Sequence, residues 1–202
     1  MVEQLFGSAT PKIYDYVDLL TSAAVARGML GPREASRVWP RHILNCAVIA
    51  PVFPHRQPVC DIGSGAGLPG VVLAIARPDL TVTMLEPLLR RVTFLYEVVA
   101  HLGLDNAVVL RSRAEEAAGG AGYGAVTARA VAPLARLAGW AFPLLAPGGE
   151  LIAIKGRSAA AELTAARPVL RRLGARRTRV ESYGRGIVDP ETIVVRIESG
   201  IG

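Results

Sequence analysis

The sequence predicts an α/β fold: a mostly parallel seven-stranded sheet with an antiparallel C-terminal hairpin, preceded by N-terminal helices. Three observations carry this. From Pro58 onward, short apolar runs alternate with helical stretches, the rhythm of a parallel sheet covered on both faces. A glycine-dense turn joins the first strand to the helix after it. The last two strands are joined by only eight residues, Tyr183–Pro190, with two glycines and a proline. That is too short for a helical crossover, so this pair runs antiparallel.

In chain order, Tyr14, Val17, Leu20 and Ala24 recur at helical spacing until Gly28–Pro32 breaks the pattern. A second helical stretch is expected from Pro32 to Val52, ended by Pro54. The strands are expected at Val59–Ile62, Thr81–Leu85, Ala107–Leu110, Ala125–Ala128, Glu150–Lys155, Arg176–Ser182 and Thr192–Ile197. Helices are expected at Pro69–Ala76, Leu88–Leu102, Leu134–Leu145 and Glu162–Leu173, with a short one near Ala114. Leu88, Val92, Leu95, Val99 and Leu102 form one apolar stripe, and Gly103 stands where a helix C-cap belongs. Ala117–Gly124 reads as a small loop. Residues 1–55 are expected to form a helical segment packed on a core domain of residues 56–202, together one compact unit.

The 202 residues are 51% hydrophobic and 20% charged, which excludes wholesale disorder. No apolar run reaches the roughly 18 residues of a membrane span, and Met1–Thr10 lacks the pattern of a signal peptide. Cys46 and Cys60 are too few for a disulfide framework or a four-cysteine zinc site, and His42, His55 and His101 form no ligand cluster. A cytoplasmic protein without metal is expected. The charge is less ordinary: 23 basic residues face 17 acidic ones, and all but Lys12 and Lys155 of the 23 are arginine. Such a surface favours polyanionic partners, though arginine is also a general solubilising cation.

The densest signal is Asp61-Ile62-Gly63-Ser64-Gly65-Ala66-Gly67-Leu68-Pro69-Gly70. Glycines there permit positive φ and let a ligand lie against bare backbone, at the carboxyl end of a strand where open α/β sheets bind ligands. Glu86 ends the second strand 19 residues after Gly67, placed to accept hydrogen bonds from both hydroxyls of a ribose. This much serves NAD and S-adenosylmethionine equally. Asp61 suits a methionine ammonium and would repel a pyrophosphate. Together with the terminal hairpin, it favours a Rossmann-like, class I S-adenosylmethionine-dependent methyltransferase over a nicotinamide oxidoreductase. Carbon-5 pyrimidine methylation needs a thiolate, and both cysteines lie on apolar elements. No Asn/Asp-Pro-Pro-aromatic motif of amino-group methylation follows the fourth strand, where Ala128-Arg129-Ala130-Val131-Ala132-Pro133 stands. An acceptor with a ready lone pair remains, for which alignment suffices without an obligatory base.

The ordered set of motifs resembles the RsmG (GidB, glucose-inhibited division protein B) family of bacterial 16S rRNA guanine-N7 methyltransferases. The match runs through Trp39-Pro40-Arg41-His42-Ile43-Leu44-Asn45, Asp61 to Gly70 with its Leu68-Pro69-Gly70 continuation, Glu86, Ser112-Arg113-Ala114-Glu115, Ala128-Arg129-Ala130 and Lys155-Gly156. The chain departs from the family pattern at Gly31–Glu34, Pro40 and Tyr123-Gly124. The resemblance implies that Gly63 and Leu68 contact S-adenosylmethionine and that Ala114 and Glu115 lie beside its adenine. It also puts Arg129 at the end of the fourth strand.

The cofactor site is thus expected at Asp61, Gly63, Gly65, Gly67, Leu68, Glu86, Ala114, Glu115 and Arg129. Arg129 holds either an RNA phosphate or the cofactor carboxylate, and Arg129 and Lys155 are the catalytic candidates. Arg41, His42, Arg129 and Lys155 are the RNA-binding candidates, although His42 also fits a satisfied core or capping histidine and Lys155 a solvated strand end. Seven arginines between Arg167 and Arg185, with Glu181 the only acid among them, fit a phosphate-binding face or a solvated surface equally. The expected partner of this monomer is 16S rRNA or the 30S subunit, with methylation of guanine N7 in the decoding region. A small-molecule N-methyltransferase and a catalytically silent ribosome-assembly factor are the alternatives.

Overall fold

The structure, a computed structural model, describes residues 1–117 and 122–200; residues 118–121 of the expected loop lie outside that range. Strands β1 (Pro58–Ile62), β2 (Thr81–Leu85), β3 (Ala107–Leu110), β4 (Tyr123–Arg129), β5 (Leu145–Lys155), β6 (Ala175–Tyr183) and β7 (Thr192–Ser199) form one sheet. Their order is β3-β2-β1-β4-β5-β7-β6. The first five are parallel, whereas β7 runs antiparallel to both β5 and β6. The order reverses between β1 and β4, and the crevice for a ligand opens beyond their carboxyl ends.

Alternation along the strands divides the core in two. Cys60, Ile62, Val126, Ala128, Leu151, Ala153, Val195 and Ile197 face α7 (Leu134–Ala141) and α8 (Ala159–Arg172). The other face packs Val59, Val82, Met84 and Ala125 against α5 (Gly70–Ala76) and α6 (Leu89–Leu102), and the N-terminal helices join this second core. In α6, Val92, Leu95 and Leu102 are buried as expected, with Phe94 and Val98 beside them, while Leu88 is 46% exposed and outside the stripe. Gly103 closes the helix at φ 56°, and the amides of Gly103 and Leu104 reach back to Ala100 and Val99.

The N-terminal region departs from the two long helices expected. The first does run from Thr10 through Leu19 and Ala24, but Ile13, Tyr16, Val17, Leu20 and Ala24 are its buried residues. Tyr14 faces outward and meets Trp39 edge-on at 5.1 Å. The second breaks into Pro32–Ala35, a wide turn at Trp39–Ile43, Leu44–Ala47 and a short 3-10 turn at Ala50–Val52. Pro40 and Pro51 lack the amide that a continuous helix needs at those positions. The helix expected near Ala114 is a single turn, closed by Arg113 N–H donating to Glu116 Oε2 at 3.1 Å. β5 begins five residues early because Leu145 already pairs with Tyr123, before an irregularity that ends at Glu150.

Arg77 ties the N-terminal region to the sheet layer. Its Nη1 donates to the carbonyls of Ala50 (2.8 Å) and Phe53 (2.9 Å), while Nε and Nη2 grip Asp79 at 2.7 and 2.8 Å. Asp79 is held ionised well below the usual carboxylate range by this fork. Replacing Arg77 with Met removes four hydrogen bonds and leaves Asp79 with Arg56 N–H and His55, so Arg77→Met is expected to cost about 1–3 kcal/mol in urea denaturation.

Candidate active site

The turn from β1 into α5 carries the site. Ser64 N–H and Gly63 N–H both donate to the Leu85 carbonyl at the end of β2, at 3.2 and 2.8 Å. Gly63 has φ +67°, and a Cβ there would meet Val131 Cγ2 at 3.0 Å. Gly67, at φ +103°, has no room at all: its Cβ would lie 2.5 Å from Val71 and 2.8 Å from the Tyr16 hydroxyl. Tyr16, fully buried, donates to the Ala66 carbonyl at 2.8 Å, so the N-terminal helix holds the loop from beneath.

Above the loop opens a cleft of about 740 Å³, a size suited to a small-molecule ligand. Gly63, Gly65, Leu68, Glu86, Ala114, Glu115 and Arg129 all border it, as does His42. Glu86 is 1% exposed; its Oε2 accepts Gly65 N–H and its Oε1 accepts Leu88 N–H, both at 3.0 Å, while Arg91 comes no nearer than 3.5 Å. A carboxylate has about four lone-pair sites, so room remains for the hydroxyls of a ribose. The fit to S-adenosylmethionine is therefore good at the ribose end, with bare backbone at Gly63 and Gly65 beside it.

Asp61 and Gly67 are the exceptions among the expected cofactor contacts, because neither borders the cleft. Asp61 alternates with Cys60 and Ile62 and so points under the loop, where it is completely buried. Its Oδ2 accepts the Gly70 amide at the start of α5 (2.9 Å), and its Oδ1 has no hydrogen-bond partner. Burial pushes its pKa up to about 7, with the Ser64 hydroxyl, the Gly70 amide and the Arg129 charge opposing. Asp61, read from the sequence as suited to a methionine ammonium, braces the turn from beneath through the Gly70 amide.

Arg129 stands at the end of β4, next to Ala130 at φ 54°. It donates to the Arg41 carbonyl at 3.2 Å and to His42 Nδ1 at 2.5 Å, and His42 Nε2 meets Glu34 Oε2 at 3.0 Å. Burial and the Arg129 charge hold the His42 pKa down, so a neutral ring accepts from Arg129 and donates to Glu34. Glu34 also pairs with Arg41 at 2.8 Å. This chain from the N-terminal region to the cleft was invisible in the sequence, where Glu34 and His42 stand eight residues apart.

A second cleft of about 760 Å³ shares the wall Arg129–Val131 and is bordered by Arg41, Lys155 and Arg157. Lys155 is not a free cation there. Its Nζ donates to the Ala132 carbonyl at 2.7 Å and to Glu162 Oε2 at 2.8 Å, and the Lys155 bond lowers the Glu162 pKa. Glu162 also accepts Leu134 N–H (3.1 Å) and the Ser158 hydroxyl (3.0 Å), so this pair braces the loop after β4. The sequence reading missed Glu162, for which the only signal was Ser158 four residues earlier. Neither cysteine borders either cleft. Burial raises Cys46 to about 11 and pushes Cys60 up as well, which leaves no thiolate for chemistry at neutral pH.

A profile of the family GidB, rRNA small subunit methyltransferase G, matches residues 9–191. The chain belongs to this family. A GidB relative named ribosomal RNA small subunit methyltransferase G, from Streptomyces avermitilis, is 54% identical over 198 residues, covering 98% of this chain and 83% of that protein. One of the same name from Thermobifida fusca is 55% identical over 194 residues, covering 96% and 82%. Among solved structures, a SAM-dependent O-methyltransferase from Thermotoga maritima superposes with a TM-score of 0.64 at 14% identity, over 82% of this chain and 69% of that one. That likeness establishes the class I methyltransferase fold for this GidB-family chain.

Asp61 gives the site a measurable signature. Its unfolded pKa is near 3.8 and its folded pKa about 7. Between these values the folded protein keeps a proton that the unfolded chain releases, so this group makes stability fall as pH rises from about 4 to about 7. Asp61→Asn keeps an acceptor for Gly70 and removes the titration. Chemical denaturation is expected to show the variant gaining on the order of 2–4 kcal/mol over the natural protein between pH 4 and pH 8. Parallel pH profiles for the two proteins would remove Asp61 as a buried titrating group.

Proposed function

We propose that this chain transfers a methyl group from S-adenosylmethionine to N7 of a guanine in 16S rRNA, in the decoding region of the small subunit. The observation that carries the reading is the pair of clefts meeting at Arg129–Val131. One has the glycine loop and the buried Glu86 carboxylate of a nucleoside site. The other is bordered by Arg41, Arg129 and Arg157, cations suited to the phosphates flanking a target base. The carboxylates on its border are largely engaged within the protein, Glu162 with Lys155 and Glu191 with Arg185. Membership in the GidB family supports small-subunit rRNA as the acceptor.

S-adenosylmethionine supplies an activated methyl group on a sulfonium. The protein's part is binding and alignment. Gly63 and Gly65 present backbone without side chains, and Glu86 binds the ribose. Ala114 and Glu115 border the far side of the cleft for the adenine. Arg129, fixed by His42 and the Arg41 carbonyl, places a cation on the shared wall. Guanine N7 carries a lone pair and no proton, so attack needs no base, in keeping with a site whose cysteines are buried and whose Lys155 is bound to Glu162 and the Ala132 carbonyl. The 7-methylguanine formed is cationic, and neighbouring phosphates offset its charge.

Tritiated methyl transfer to 30S subunits and to naked 16S rRNA, from cells lacking this gene, is expected to yield a single 7-methylguanosine by mass spectrometry. A different methylated nucleoside overturns the N7 assignment; no incorporation by a protein that binds S-adenosylmethionine favours a silent assembly factor. Glu86→Ala is expected to weaken S-adenosylmethionine binding by about 1–3 kcal/mol in titration calorimetry, with Glu86→Gln intermediate. Unchanged affinity removes Glu86 from the ribose site.

A further inference from the structure

The seven-arginine segment resolves into two parts. Arg179 and Arg185 are engaged with acids: Arg179 with Glu150 and Glu181, Arg185 with Glu191. Arg167, Arg171, Arg172, Arg176 and Arg177 are all exposed, and none makes an ion pair, hydrogen bond or ring contact among the described residues. No acidic residue occurs in the chain from Arg167 to Arg177. Glu198 stands opposite Arg177 in register, and among the described residues it forms no ion pair with it. These five are almost as many positive charges as the whole chain's excess of 6 over its 17 acidic residues.

Sheet topology fixes where this charge lies. α8 leaves the carboxyl end of β5 and descends to the opposite end of the sheet, where Gly174 turns the chain into β6. Ala175 pairs with Ser199 and Tyr183 with Thr192, while Lys155 pairs with Ile193. Arg171, Arg172, Arg176 and Arg177 thus lie at one end of the sheet, about six strand residues and roughly 20 Å below the rim that carries Arg129 and Lys155, with Arg177 level with Glu198 on the face away from α8. Arg167 follows one turn up α8. On α8 the side chains of Ala159, Leu163, Ala166 and Leu170 face the core, leaving the three helix arginines to solvent.

We infer that this cluster is a second phosphate-binding surface, gripping the backbone of the RNA substrate at a stretch separate from the one that presents the target base. The inference rests on the rRNA acceptor proposed above. Its occupant is a polyanion by charge complementarity: five unpaired guanidinium groups, each able to clamp phosphate oxygens, with Glu198 the one acid in register with them. At about 20 Å from the cleft wall, the surface adds affinity without touching the reacting atoms. It distinguishes an extended RNA from a small acceptor, which cannot reach both places.

The test replaces all five arginines with Gln, with the five-fold Lys variant as a charge-preserving control, after checking that both melt and bind S-adenosylmethionine as the natural protein does. Steady-state methylation of the 30S or 16S form that the natural protein modifies is measured across salt concentrations, alongside filter binding to 16S rRNA. The Gln variant is expected to show KM raised at least tenfold at low salt with kcat unchanged. The slope of log binding against log salt should become shallower by about 2–4, roughly 0.7–0.9 for each phosphate that the variant no longer neutralises. The Lys variant should recover most of both. Equal KM, affinity and salt slope in the Gln variant overturn the second surface. If the natural protein methylates neither form, the acceptor reading fails on its own, and the rRNA binding comparison still decides the surface.

Discussion

A carboxylate shut away from water organises the molecule. Asp61 sits where β1 ends, beneath a loop whose glycines adopt backbone angles that other residues resist, and its Oδ2 accepts the first amide of α5. A negative group at that point favours the positive end of the helix and draws its amide downward. The loop above presents the bare backbone of Gly63 and Gly65 to the cleft. Removing water from a carboxylate is costly, as its raised pKa records.

The N-terminal helices complete this arrangement by a different kind of contact. Tyr16 supports the loop through Ala66, and the chain Glu34–His42–Arg129 fixes the one cation that, among the described residues, both clefts share. Sheet and helical segment therefore contribute unequal things. The sheet positions backbone and Glu86; the segment sets the orientation of Arg129. Lys155 and Glu162 do the matching work on the other flank, bracing the loop between Arg129 and α7.

All seven strands and the antiparallel hairpin could be read from the sequence, because strand rhythm and the eight-residue joint are local signals. The helical N-terminus was less legible. Pro40 and Pro51 break a pattern whose apolar spacing alone suggested continuity, and Tyr14 fell in the expected stripe although Ile13 and Tyr16 are what the fold buries. The glycine loop and Glu86 were recognisable because conformation and charge are demanded at fixed positions. The side of the sheet on which Asp61 lies was readable in principle, since it alternates with Cys60 and Ile62, but which face the cleft uses depends on the loop's path. Lys155 and the arginine cluster depended on non-local facts: the helix register that brings Glu162 to the ammonium, and the antiparallel pairing that carries Arg176 and Arg177 to the far end of the sheet.

The burial of Cys46 and Cys60 has a practical consequence. Thiol-directed probes react with thiolates, and neither native sulfur offers one at neutral pH or has surface to be reached. A cysteine introduced at an exposed site would then be the sole reactive handle on the chain. Fluorophores or spin labels could be attached there with both native residues left in place, giving distance measurements on a protein whose packing has not been altered to permit them.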